Sequence, residues 1–260
     1  MKTRLFNIAM IVMAMMCLTT QAADNSIYID QAGDNATVSV TQDGSGNVVR
    51  GLAGVGTNNQ TPAKITGDGN QVSVSQVGSG NTLRLGINTT TAVGQSTVNY
   101  SVSNSANSQA DIKVGTTGTA STAATVNVTQ SGNSSVASVT ALGATDTITI
   151  NTAGGANNSA TVSAIGDNIT STTTVTGGGG NTVSMDLSSP GGTSTAAIAG
   201  ATNTVSVTQS GGVTGAQSTI DLTGSGNTVT VTQQGTAGDN ISNLKIGSSG
   251  STVTINQNNR

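Results

Sequence analysis

Apolar and polar residues alternate strictly in short segments along this chain. In Asn203-Thr-Val-Ser-Val-Thr-Gln209-Ser-Gly211, the residues Val205, Val207 and Gln209 point one way and Thr204, Ser206 and Thr208 the other. The same phrase stands at Asn25 to Gly33, Asn70 to Gly78 and Asn227 to Gly235, and at Ser251 to Gln257 with Ser in the place of Asn. Looser copies are Ala36 to Gln42 and Thr125 to Gln130. A period of two, β-branched residues and flanking Gly and Asn predict strands of about 5–6 residues.

The copies are spaced regularly. Asn158, Asn181, Asn203, Asn227 and Ser251 follow one another at steps of 23, 22, 24 and 24, and Asn47 to Asn70 is also 23. Asn35 to Asn47 is 12 and Asn70 to Asn81 is 11, half that step. A unit of about 23 residues holding two strands and two turns is one coil of a solenoid. The expected fold is therefore all-β, a β-solenoid of about ten two-strand coils stacked as in cross-β structure, making a rod about 50 Å long at about 4.8 Å per coil. The best repeats span residues 25–81 and 203–257, while residues 82–202 keep the period but mostly lose the Gln. Gly177 to Gly180 and Ser189 to Gly192 are expected to be irregular bends, and Leu52 to Ala63, which contains Pro62, a loop-rich half coil.

A buried Gln or Asn costs stability unless its amide finds partners. Stacked coils supply them, because equivalent amides lie one above the next and hydrogen-bond along the column. Gln31, Gln42, Gln76, Gln130, Gln209, Gln233 and Gln257 are assigned to inward ladder positions, the alternative being that they face solvent. Asn25, Asn47, Asn70, Asn81, Asn181, Asn203 and Asn227 are assigned to turn corners.

Composition then narrows the function. Met1 to Ala22 reads as a secretory signal, with Lys2 and Arg4 before a short apolar run, Leu5 to Leu18, and small residues at its end. Residues 23–260 are then a single repeat domain outside the cytoplasm. That domain has no Cys, His, Trp or Glu, and its core is expected to consist of Val, Ile, Leu and Ala. Six basic residues stand against eleven Asp, giving a net charge of −5 with no basic patch for nucleic acid and no polybasic segment for a membrane. Catalysis, a cofactor and a metal are not expected. Asp146, Asp167, Asp186 and Asp221 are read as solvated turn or outward strand positions.

The phrase resembles the repeats of curlins, the subunits of bacterial curli fibres. Gln42-Asp-Gly44-Ser-Gly-Asn47 and Gln76-Val-Gly78-Ser-Gly-Asn81 match the centre of such repeats, and Ile29-Asp-Gln31-Ala-Gly33 looks like the minor, nucleating curlin. The resemblance implies a secreted, amyloid-like fibre subunit of the biofilm matrix or cell surface. Its implied partners are copies of itself stacked end to end, a nucleator or major curlin, and an outer-membrane secretion pore. The chain is longer than such subunits and lacks the aromatic residue that follows their repeat Gln.

Other readings are a surface or phage adhesin shaft, an ice-binding solenoid presenting rows such as Thr228, Thr230 and Thr232, and a calcium-binding turn at Gly67-Asp68-Gly69-Asn70. No composition shift marks a binding head, and no run of nonapeptides follows the Gly/Asp turn.

Overall fold

Most strands in the computed structural model follow the same short recipe. A residue with positive φ is followed by a corner residue, and the strand begins immediately after it. Gly80, Asn107, Ser134, Asn157, Gly180, Thr202, Gly226 and Gly250 all have positive φ, and each directly precedes a corner at Asn81, Ser108, Ser135, Asn158, Asn181, Asn203, Asn227 or Ser251. On the opposite side Asn35, Gly69, Thr145, Asn168, Gly191 and Gly215 do the same. Only Gly adopts this geometry freely, and Asn is the next most tolerant. The structure describes residues 24–32, 34–52, 61–66, 69–88, 96–115, 124–141, 144–164, 166–211, 215–235 and 240–259. The signal segment, and Gly67 and Asp68 of the Gly/Asp turn, lie outside them.

Two parallel sheets result. The first contains β1 (Ser26–Ile27), β2 (Ile29–Ala32), β4 (Val48–Arg50), β5 (Ala63–Thr66), β7 (Thr82–Asn88), β9 (Gln109–Lys113), β11 (Val136–Ala141), β13 (Ser159–Ala164), β15 (Thr182–Leu187), β17 (Thr204–Ser210), β19 (Thr228–Gly235) and β21 (Thr252–Asn259). The second contains β3 (Thr37–Ser45), β6 (Gln71–Ser79), β8 (Thr97–Ala106), β10 (Thr125–Gln130), β12 (Thr147–Thr152), β14 (Thr170–Val175), β16 (Thr193–Ala199), β18 (Gln217–Thr223) and β20 (Ile241–Ile246). The chain alternates between the sheets, so this is a β-solenoid with no helix among the described residues. β1 with β2, and β4 with β5, each fill one strand position, which leaves ten positions in the first sheet and nine in the second. The expected number of coils was about ten.

Register follows chemistry. Val205 pairs with Val229 and then Val253, and Val207 with Val231 and then Ile255. These inward positions are buried in β17 and β19 and half-buried in the last strand, β21, and their outward neighbours Thr204, Thr228 and Thr252 are exposed. The backbone ladder continues through the turns, as where Thr202 N–H donates to Gly179 O at 3.1 Å and Gly226 N–H to Ala201 O at 3.0 Å.

Three expectations are corrected. Gly177 to Gly180 and Ser189 to Gly192 are ordinary stacked turns between β14 and β15 and between β15 and β16, not irregular bends. The 23-residue step from Asn47 to Asn70 is not a winding. Val48 pairs with Thr82, and Thr37 with Gln71, so the real step here is 34 residues. The surplus enters between Gly51 and Pro62, where Gly51 N–H donates to Thr61 O. The core is also not purely aliphatic. Tyr100 and Met185 are fully buried, and Met185 Sδ accepts from Ser171 Oγ at 3.3 Å.

Close stacking of the turns makes some positions specific for glycine. Gly200 has φ +130, and a Cβ there would collide with the carbonyl oxygen of Gly224 one winding on. Gly200→Ala is expected to lower unfolding free energy by about 2 kcal/mol or more. The outward Thr230→Ser is expected to change it by less than about 0.5 kcal/mol. Denaturant titration of the two variants measures the contrast.

Candidate functional site: amide ladders and open ends

At the asparagine corners of the first sheet the side chain completes a turn and also reaches the next winding. Asn181 Oδ1 accepts from Asn203 N–H at 3.0 Å and from Asn203 Nδ2 at 3.1 Å. Asn203 Oδ1 treats Asn227 in the same way, and Asn227 Oδ1 accepts from Ser251 N–H at 2.8 Å. The Nδ2 groups also donate to turn carbonyls, Asn181 to Gly200 O and Asn203 to Gly224 O. A second run joins Asn25, Asn47 and Asn81 by the same rule, ending where Ser108 N–H donates to Asn81 Oδ1. Ser108 and Ser135 interrupt the column between the two runs.

Most of the predicted corners hold these positions. Asn70 is buried at a corner as expected, but it precedes a strand of the second sheet and so belongs to the other column. Asn158 opens the longer run and was not among the expected ladder residues, because its strand, Ser-Ala-Thr-Val-Ser-Ala, carries no Gln. Asp146 is fully buried, contrary to its reading as a solvated turn residue. It sits at a corner of the second sheet, where its Oδ1 accepts from Ile169 N–H at 3.0 Å, the role Asn takes elsewhere. The signal for this was its place before Thr147-Ile-Thr-Ile-Asn.

The glutamines form two columns, one on each sheet. On the second sheet Gln42 Nε2 donates to Gln76 Oε1 at 2.8 Å. Val102 then takes the position, and Gln130 follows, accepting from the Tyr100 hydroxyl at 3.3 Å. On the first sheet Gln209 Nε2 donates to Gln233 Oε1 and Gln233 Nε2 to Gln257 Oε1, both at 2.8 Å. Each amide also spans the interior to the first residue of the facing strand, as Gln209 does to Thr193 O, Gln233 to Gln217 O and Gln257 to Ile241 O. The residue after each of these acceptors is Ser194, Ser218 or Ser242, small enough to leave room for the amide. Gln31 is corrected. It stands in register with Ile65 rather than with another Gln, and it is exposed on the first strand position.

Where glutamine is missing, bulk on one sheet faces small residues on the other. Val183, Met185 and Leu187 of β15 lie against a second sheet that carries Ser171 and Thr173 on β14 and Ser194 and Ala196 on β16. Ile148 and Ile150 of β12 lie against Ala137, Ala141, Ala160 and Ala164. The middle windings thus keep a filled core without a glutamine column.

Among the described residues, no strand pairs onto the outer edge at either end of the solenoid. Among the described strands β21 pairs only with β19 and β20 only with β18, while β1, β2 and β3 each have one neighbour. Among the described residues each end therefore shows a row of unpaired backbone groups above a partly exposed core, with Ile27, Ile29, Val38 and Val40 at one end and Leu244, Val253 and Ile255 at the other. Such edges template the addition of further strands. The outer faces carry hydroxyls in register and few charges. Arg84 and Asp111, in-register neighbours on β7 and β9, pair at 2.6 Å. No helix among the described residues is long and apolar enough to cross a membrane.

Asn203→Ala removes the acceptor of two N–H groups and a donor to Gly224 O inside a buried column, and is expected to cost about 2–4 kcal/mol in denaturant unfolding. Burial pushes the Tyr100 hydroxyl far above its usual ionisation range, an effect that the hydrogen bond with Gln76 partly offsets. The folded chain therefore holds this proton where the unfolded chain releases it. The resulting stability is complete below about pH 10, the free tyrosine value, and is lost as pH rises above it. Tyr100→Phe is expected to flatten that alkaline slope in pH-dependent denaturation.

Comparison with family models, with curated proteins and with solved structures finds no match for the chain.

Proposed function

We propose that this chain is a secreted structural subunit that assembles end to end into amyloid-like fibres at the cell surface or in a biofilm matrix. The observation that carries the reading is the pair of strand edges, at β1 to β3 and at β20 and β21, that no described strand covers. A solenoid that works as a monomer covers its terminal coils with polar or charged structure. Here the terminal strand positions repeat the interior pattern, with Ile27 and Ile29 at one end and Val253, Ile255 and Gln257 at the other. The resemblance of residues 25–81 and 203–257 to curlin repeats supports the same reading. In such a fibre the subunit acts through its backbone edges and amide columns, with no catalytic group or cofactor.

A second reading has one observation in its favour. Thr182, Thr204, Thr228 and Thr252 stand in register on the outer face of the first sheet, with Ser184, Ser206, Thr230 and Thr254 beside them. A flat hydroxyl array of this kind suits ordered water, and a thermal-hysteresis assay checks it.

For the main reading, incubation of the purified protein is expected to give fibres in electron micrographs, with a reflection at about 4.8 Å along the fibre axis. Ile27→Lys places a charge on a half-exposed end position. It is expected to leave the circular dichroism of the monomer unchanged and to abolish fibre growth, since the charge would be buried at a junction. Fibres formed at the unaltered rate by this variant would sink the end-to-end assignment.

A further inference from the structure

The strand count constrains how one copy meets the next. Ten positions in one sheet and nine in the other make an odd total among the described residues. The first and the last described strands, β1 and β21, both lie in the first sheet. The next vacant strand position after β21 therefore belongs to the second sheet, above β20. A second copy stacked with its sheets aligned to those of the first would place β1 over β21 and leave one position of the second sheet empty at every junction. That gap would hold the unpaired edges of β20 and β3 apart. A second copy turned by half a revolution closes it, because β1 and β2 then sit over β20, and β3 over β21.

We infer that successive copies stack head to tail with a half-turn about the long axis, so that the first sheet of one continues into the second sheet of the next. This rests on the end-to-end assembly proposed above and specifies its junction. The side chains at the two ends fit this arrangement. With corner set on corner, Asn25 of the incoming copy lies over Asn240, Ile29 over Leu244 and Asp30 over Lys245; on the other side Val38 lies over Val253, Val40 over Ile255 and Gln42 over Gln257.

Three pairings are notable. First, Gln257 Nε2 donates to Ile241 O and has a second hydrogen, while among the described residues no hydrogen bond ends on Gln42 Oε1. Both glutamine columns run with Nε2 donating toward the higher residue number. Gln257 to Gln42 continues that direction and joins Gln209, Gln233 and Gln257 to Gln42 and Gln76 in one line. This accounts for the placement of glutamines on opposite sheets at the two ends. Second, Asn240 over Asn25 extends the Asn25, Asn47 and Asn81 ladder by one step. Third, Lys245, an outward side chain already 3.4 Å from Asp221, gains Asp30 on its open side, in the in-register geometry of Arg84 and Asp111. Head-to-head contact is disfavoured by charge, since Asp24, Asp30, Asp34 and Asp43 crowd the first strands with no Lys or Arg between Asp24 and Arg50.

Cysteine pairs in a Cys17→Ser background test the junction, with copper-catalysed air oxidation of assembled protein and non-reducing electrophoresis. In-register neighbours lie about 4.8 Å apart, within disulfide reach, whereas positions on facing sheets are about 10 Å apart and outside it. Gln42→Cys with Gln257→Cys is expected to give a ladder of multimers, and Gln31→Cys with Gln257→Cys none. The reverse pattern would establish aligned stacking and overturn the half-turn. Dimers from Gln42→Cys alone would indicate head-to-head contact and also overturn it. Fibres without cross-links in any pair would refute the junction and leave the fibre reading intact; absence of fibres and multimers for the unaltered chain would refute both. As a measurement that does not depend on disulfides, Lys245→Asp is expected to slow fibre elongation at least several-fold, and Asp30→Lys in the same chain to restore it.

Discussion

The structure depends on parallel, in-register stacking of each winding on the last, at one strand spacing. Within that constraint a side chain meets its own equivalent above and below, so any residue type must be compatible with itself. Aliphatic residues satisfy this by packing. Asn and Gln satisfy it because one amide carries both a donor and an acceptor, and a column of them closes its own hydrogen bonds. Charged residues do not, and where two of them meet in register on an outward face they carry opposite signs, as Arg84 does with Asp111 and Lys245 with Asp221.

The amides and the glycines serve the same requirement at different places. Strand pairing is supported along the whole edge, but a turn must reverse the chain while keeping its backbone ladder. The residue with positive φ makes the reversal, and the corner Asn ties the turn to the next winding through both its backbone N–H and its Nδ2. Gly200 and Gly224 let successive turns approach more closely than any side chain would permit. The glutamines act on the interior, linking the end of each strand to the start of the facing one, so that the two sheets are joined by hydrogen bonds as well as by packing.

The middle of the solenoid shows that the fold does not require those glutamines. There the interior is filled by matching large residues on one sheet to small ones on the other, Met185 and Leu187 against Ser171 and Ser194. The glutamine-to-glutamine links stand toward the two ends instead, at Gln42 and Gln76 and from Gln209 to Gln257. An apolar end would bury well but would accept almost any greasy surface, whereas an end carrying a directional amide column is selective for register.

The local pattern of the chain determined the strands, their inward faces, the corner role of Asn and the winding of about 23 residues, because these follow from backbone period and from which residues tolerate a left-handed turn. It did not determine which strand joins which sheet. Both sheets are built from the same phrase, and the half-step of 11–12 residues makes Asn47, Asn70 and Asn81 look equivalent until the pairing of Val48 with Thr82 separates them. Membership depends on the lengths of the intervening turns, and an insertion such as that after Gly51 has no periodic signature. Gln31 faces Ile65, Asp146 is buried, and the glutamines divide between two sheets for the same reason: a side chain's neighbour lies a full winding away, and only the wound structure specifies which residue that is.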